Sequence, residues 1–145
     1  MPRILGASDA RTHVQKHTIT GAASGVLVAV GNSGTEGIGE RVWVTRAWME
    51  FTAAAAAACT IDVGFGDSAT DVADARSDDL FDGINVETGT LTLNVALDTI
   101  TLDVAGATAT MTPQAWEVDD FLLVHVKTGN GTGLAGTLNI EYAPA

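Results

Sequence analysis

His13 and His17 stand four apart, the spacing that sets two zinc ligands on one face of a helix. The residues between and after them (Val14, Gln15, Lys16, Thr18, Ile19, Thr20) read as strand, where positions four apart lie about 13 Å from each other. No acid nearby completes a metalloprotease motif. The acids Asp67, Asp71, Asp74, Asp78, Asp79 and Asp82 crowd one segment, and several carboxylates on one loop make a hard oxygen site suited to Ca²⁺. The run Asp78-Asp79-Leu80-Phe81-Asp82-Gly83 has acids at the first and fifth positions and Gly at the sixth, as an EF-hand loop does. It lacks the third-position ligand and the closing Glu, so that motif fails and only a looser calcium site is left open.

Other spacings lead to less. Gly64-Phe65-Gly66 has the beginning of a dinucleotide-type glycine spacing, but the acids after it would repel a pyrophosphate and the segment reads as a turn. Glu50, Asp62, Glu117 and Glu141 lie on or near strands and are candidates for a pair of glycosidase carboxylates, without an aromatic-rich groove to accompany them. Trp43, Trp48 and Trp116 could stack on sugars; tryptophans more often anchor a core or a subunit interface. Gly31-Asn32-Ser33-Gly34-Thr35 lacks the final glycine of a serine nucleophile elbow. Cys59, beside an alanine run and without a base close in sequence, reads as a small buried hydrophobe. Asn130-Gly131-Thr132 fits a glycosylation sequon, which matters only in a secreted eukaryotic protein. None of these forms an active site, and no cofactor is expected.

Composition narrows the classes. The 145 residues carry 7 Lys+Arg against 18 Asp+Glu, a net charge of −11, with 46% hydrophobic and 17% charged residues and a single cysteine. The deficit of cations argues against nucleic-acid partners, whose phosphates need clustered Lys and Arg, and against anionic lipid. No apolar run approaches the roughly 20 residues of a membrane helix, and the N-terminus lacks the apolar core of a signal peptide. The charge is uneven. Residues 1–60 hold five bases (Arg3, Arg11, Lys16, Arg41, Arg46) against four acids, whereas residues 61–120 hold thirteen acids and one base, Arg76. Such a chain suits like molecules meeting head to tail, a negative partner meeting the basic end, or an acidic loop that keeps the protein in solution.

The elements that must position these groups are strands. Apolar residues alternate with small polar ones over Ile61–Phe65, Leu91–Leu97, Ile100–Val104 and Leu138–Tyr142, a period of two. Further strands are expected at His13–Thr20, Gly25–Val30 and Arg41–Thr52, and at Phe121–Lys127, whose apolar start suits an interior strand covered on both sides. Regular alternation through Arg41–Thr52 places Trp43 with Ala47, Met49 and Phe51 on one face, and Val42, Val44, Arg46 and Trp48 on the other. A strand so long and so apolar on both faces bends between two sheets or gives a face to a neighbouring subunit. Ala53–Ala58, too short to repay helix nucleation, reads as a hairpin connection or a closely packed strand end. One short helix is expected inside the acidic loop 67–83, where Val72, Ala75 and Leu80 fall at near-helical spacing. The reading is all-β: a jelly-roll-like β-sandwich of about eight strands, residues 13–145, after an N-terminal arm of residues 1–12.

The segment Trp116-Glu117-Val118-Asp119-Asp120-Phe121-Leu122-Leu123-Val124, a Gly-rich turn and Gly133-Leu134-Ala135-Gly136-Thr137-Leu138-Asn139-Ile140-Glu141-Tyr142 resemble the last two strands of small β-rich virion proteins of tailed bacteriophages. Thr60-Ile61-Asp62-Val63-Gly64, after the alanine run and before the acidic loop, is similar to them as well. The resemblance, over roughly the last two-thirds of the chain, is to the capsid decoration, or cement, proteins. It implies a non-enzymatic structural protein made in the bacterial host cytoplasm, bound as a homotrimer to the major capsid protein on the outside of the head, which it stabilises. No site residue is carried over with it. From this chain's own residues, Arg3, Arg11, His13 and Lys16 are candidates for the lattice contact and Trp43, Trp48 and Trp116 for interface anchors. The alternative is a carbohydrate- or receptor-binding module of a phage fibre or tail; a small glycan-cleaving enzyme is a third reading.

Overall fold

The structure, a computed structural model, describes residues 13–87 and 113–145. They form eight strands: β1 (His13–Thr20), β2 (Val26–Gly31), β3 (Val42–Ala53), β4 (Cys59–Gly66), β5 (Phe81–Asn85), β6 (Gln114–Trp116), β7 (Phe121–Gly129) and β8 (Ala135–Pro144). Two four-stranded antiparallel sheets result, in the orders β1-β8-β3-β6 and β2-β7-β4-β5. First pairs with eighth, second with seventh, third with sixth and fourth with fifth, as when one long antiparallel ribbon is folded over on itself. The two sheets together make a β-sandwich. β7 runs between β2 and β4, with Leu122 to His125 all buried, as its apolar start requires.

The alternation of each strand supplies the core. Val28 and Val30 of β2, Ile61, Val63 and Phe65 of β4, and Leu122 and Val124 of β7 face inward from one sheet. Ile19 of β1, Val42, Val44, Met49 and Phe51 of β3, Trp116 of β6, and Leu138 and Ile140 of β8 meet them from the other. Each such side chain contributes about 1.5–3 kcal/mol when removed from water.

Four expectations need correction. No helix forms among the described residues; 67–80 is a chain of turns. Ser68 Oγ and Asp74 Oδ1 accept the amides two residues on, of Thr70 and Arg76, capturing N–H groups a helix would need. Of the two readings of the alanine run, the hairpin falls, because β3 and β4 belong to different sheets and the run crosses between them, while the closely packed strand end stands, with Ala53 closing β3 and Ala55 buried. The small side chains permit its close docking, with Ala55 N–H donating to Val86 O at 2.9 Å and Ala56 N–H to Thr132 O at 3.1 Å. Gly64 and Gly66 are not a turn but the end of β4. Finally, β3 stays within one sheet instead of bending between two. β5 and β6 were not expected as strands, while the arm 1–12 and the strands expected over 90–97 and 99–104 lie outside the described residues.

One buried side chain joins the sheets at one end. Asn32, just after β2, donates from Nδ2 to the carbonyls of Glu40, Trp116 and Glu117 at 2.9, 3.1 and 3.0 Å. Its Oδ1 accepts the amides of Ile38 and Gly39 at 3.0 and 3.1 Å. Replacement by Ala orphans these buried groups, and we expect a loss of about 3 kcal/mol in urea unfolding. Asn32→Asp, the same shape, turns an acceptor toward three carbonyls and is expected to cost at least as much. A loss below about 1 kcal/mol for both would show that water replaces the amide there.

A candidate interaction face

The side chains with the most to offer a partner lie on the outward face of the β1-β8-β3-β6 sheet. Trp43 and Trp48 are five apart, an odd separation that sends them to opposite faces of a regular strand. They nevertheless share a face, because the pairing with β8 shifts between Val44 and Arg46 and Thr45 is the extra residue. The bulge lets Val42 and Val44, then Ala47, Met49 and Phe51, all point into the core, leaving Trp43, Arg46, Trp48 and Glu50 outward. This corrects the two-sided assignment drawn from unbroken alternation.

Each indole is braced by the arginine two residues before it. The Arg41 guanidinium lies 4.6 Å from the centroid of Trp43, and Arg46 lies 4.6 Å from that of Trp48. Arg41 Nε also donates to Glu117 Oε2 at 3.0 Å, and Arg46 stands 3.9 Å from Glu141. Trp48 Nε1 donates to Glu50 Oε1 at 3.3 Å. Opposite Trp48 in the register is Asn139, fully buried, whose Nδ2 donates to Trp48 O at 3.4 Å and Glu50 Oε1 at 3.3 Å, while its Oδ1 has no hydrogen-bond partner among the described residues. Trp43, Thr45, Pro113 and Ala143 line a shallow apolar hollow. The paired Arg-x-Trp triplets were in the sequence, and arginine two positions before tryptophan on a strand is the signal for this stacking.

Of the candidate residues, Lys16 joins Trp43 and Trp48 on this face, opposite Asn139 across the β1–β8 pair. His13 sits at the end of the sheet against Tyr142, ring centroids 5.5 Å apart. Trp116 is different: it is fully buried between the sheets, its Nε1 donating to Asp120 O at 3.1 Å, and it anchors the core. Arg3 and Arg11 lie outside the described residues. Of the four carboxylates, Asp62 belongs to the other sheet from Glu50 and Glu141, and Glu117, just after β6, is engaged by Arg41. His13 and His17 do not share a ligand; His17 is buried with Nε2 3.1 Å from Gln15 Oε1 and Nδ1 3.9 Å from Glu36. Cys59 is a buried free thiol, its pKa pushed up by that burial.

The second sheet's outward face is strongly acidic and largely covered. The loop 67–80 lies over β4 so closely that a Cβ on Gly64 would come within 2.2 Å of Arg76 O. Arg76, the single base of residues 61–120, ties the loop down. It bonds Asp79 Oδ2 at 3.0 Å, Asp120 Oδ2 at 3.2 Å and the carbonyl of Ala115, and lies 4.7 Å over the Phe65 ring. Burial raises the pKa of Asp120 although Arg76 opposes the rise.

Compared with known proteins, the chain matches no family model, no curated protein and no solved structure.

The buried His17 has a measurable consequence. Burial lowers its pKa from the usual 6.5, with Glu36 pulling the other way. Below pH 6.5 the unfolded chain therefore takes up a proton more readily than the native one, and the stability His17 contributes falls as the pH drops. The urea midpoint of the wild type is expected to decline from pH 7 to 5 more steeply than that of His17→Gln. Parallel declines would assign the acid sensitivity to other groups.

Proposed function

We propose that this protein is a non-enzymatic structural component of a tailed-phage virion, a jelly-roll subunit that binds the outer surface of the capsid as a homotrimer and stabilises the head. The observation that carries the reading is the Arg-braced Trp43/Trp48 face, together with the likeness of the β6–β7 and β8 segments to decoration proteins. Trp and Arg are the residues most enriched at the energetic centres of protein interfaces. Here they are held in place by β3 and by ion pairs before any partner arrives, which lowers the ordering cost of association. A subunit that binds the assembled lattice and not free capsid protein shifts the shell toward the intact state by mass action. The arm 1–12, with Arg3 and Arg11, would add the lattice contact.

The carbohydrate- or receptor-binding reading draws on the same feature, since two indoles on one sheet face also suit a flat sugar. The arginine stacked on each ring favours a protein partner.

Copy number in purified particles, measured by quantitative mass spectrometry against the major capsid protein, tests the proposal. Hundreds of copies are expected. A handful would move the protein to a tail or fibre, and absence from particles would overturn the virion reading. In solution, light scattering should report three times the chain mass. Trp43→Ala with Trp48→Ala should leave the circular dichroism of the sandwich intact while weakening trimerisation or particle binding by tenfold or more. Deleting residues 1–12 should leave the fold and weaken particle binding; full-strength binding by the truncated chain would remove the arm from the contact.

A further inference from the structure

The connection from β7 to β8, residues 130–134, holds the one Asn-Gly step of the sequence, Asn130-Gly131. The other asparagines precede Ser33, Val86, Val95 and Ile140. Asparagine is a thermolabile side chain. It loses its amide when the peptide nitrogen that follows attacks its carbonyl carbon Cγ. A side chain on the following residue obstructs that approach, and glycine has none. Asn130 is exposed, whereas Asn32 and Asn139 are buried with their amides engaged.

The turn is already folded toward that reaction. Thr132 N–H donates to Asn130 Oδ1 at 2.9 Å, an Asx turn that curls the carboxamide over the Gly131 peptide. The same N–H draws electrons from Cγ and stabilises the negative charge that Oδ1 gathers on attack, as an oxyanion-hole donor does. The attacking group, the Gly131 amide, is committed to no hydrogen bond among the described residues. The backbone on either side is held firmly. Asn130 N–H donates to Ala58 O at 3.0 Å, Leu134 N–H to Gly131 O at 3.1 Å and Ala56 N–H to Thr132 O at 3.1 Å. A Cβ on Gly131 would meet Ala22 O at 2.8 Å.

We propose that Asn130 is a site of spontaneous deamidation in the folded protein, with ring closure assisted by the Thr132 N–H. Gly131 N gives its proton to solvent base and bonds to Asn130 Cγ. The Cγ–Nδ2 bond breaks, and Nδ2 takes a proton from solvent and leaves as ammonia. Water then adds to either carbonyl of the succinimide and opens it to aspartate or isoaspartate; nothing is oxidised or reduced. Isoaspartate lengthens the main chain by one carbon, and the turn has no room for it between Ala22 O and the bond to Ala58 O. The modified turn releases the alanine run that docks on it, and the sandwich loses stability with age. The site stands independently of the virion reading.

Peptide mapping by mass spectrometry, on the full chain aged at neutral and at mildly alkaline pH, tests it. Asn130 should gain the mass of deamidation before Asn32, Asn85 and Asn139, and faster at the higher pH, because the attacking nitrogen must lose its proton. The aged wild type should unfold at a lower urea concentration than the fresh protein. Asn130→Ser, whose hydroxyl can still accept the Thr132 amide, should show neither the mass shift at this turn nor the drop in midpoint. Urea at about 1 M, below the transition, raises the unfolded population by about tenfold. The rate at Asn130 should stay unchanged there, because the folded turn is the reactive form. A rate that rises with the unfolded population would show that the fold protects the amide, and overturns the proposal. It is equally overturned if Asn130 keeps its amide after another of these asparagines has lost its own, or if ageing lowers the midpoint of Asn130→Ser as much as that of the wild type.

Discussion

A strand buried on both faces has no solvent side to which it can send the other half of its residues, and β4 is such a strand. Seven of its eight residues are buried, so the usual division into an apolar inner row and a polar outer row fails there. The inner row, Ile61, Val63 and Phe65, is ordinary core. The outer row must be polar with a partner, or vanishingly small. Asp62 meets the first condition through the Gly83 amide and Lys127, and Gly64 and Gly66 meet the second. The glycines let the loop backbone lie directly on the strand, and Arg76 fastens that loop to β6 and to the turn before β7. Much of the acidic character of the chain follows: its carboxylates belong to a cover held by few cations.

How much of this is legible in the sequence depends on how local the determining physics is. β4 and β8 announce themselves by period-two alternation and β7 by its continuous apolar start, both properties of neighbours along the chain, and β1, β2 and β3 are legible as runs between turn residues. β5 breaks its own pattern with Asp82 and Gly83, and is a strand because Ile84 and Phe81 pair with Ile61 and Val63 of β4. β6 has only three residues and exists because Val42–Val44 offers an edge. The helix expected near Val72 and Leu80 gave way to side chains that capture their own backbone. The bulge at Thr45 has no signature in residue type. It is detectable only from the clash between a core that needs Val42, Val44, Ala47 and Met49 on one side and a strand whose strict alternation forbids it. Trp116 was recognisable as an anchor, but whether an aromatic anchors a core or an interface is decided by what lies across from it. In this case Phe65 lies across, ring centroids 6.5 Å apart.

The two outward faces of the sandwich are therefore of different kinds. Over β4 the chain lies on itself, with charge neutralised pair by pair around Arg76 and Lys127. Over β3 and β8 the surface is built of half-buried indoles, each under a guanidinium that is itself paired with a glutamate. Such a face is rigid and nearly neutral, and offers a partner flat apolar area with polar groups at its margin. The bulge that brings both indoles to it also completes the core, so the surface and the interior are solutions to one registry problem.

The β1–β8 pair sets a mechanical property as well. His13 lies across from Tyr142, and Thr20 across from Ala135, so the first and last described strands begin and end at the same corner of the sheet. Tension applied between residues 13 and 145 pulls perpendicular to the strands and loads that ladder one rung at a time, as a zipper opens. Tension applied along the strands, as between β3 and β8 at opposite ends, would load many rungs together. The sandwich is thus anisotropic: compliant when drawn apart at its ends and stiff in the plane of its sheets.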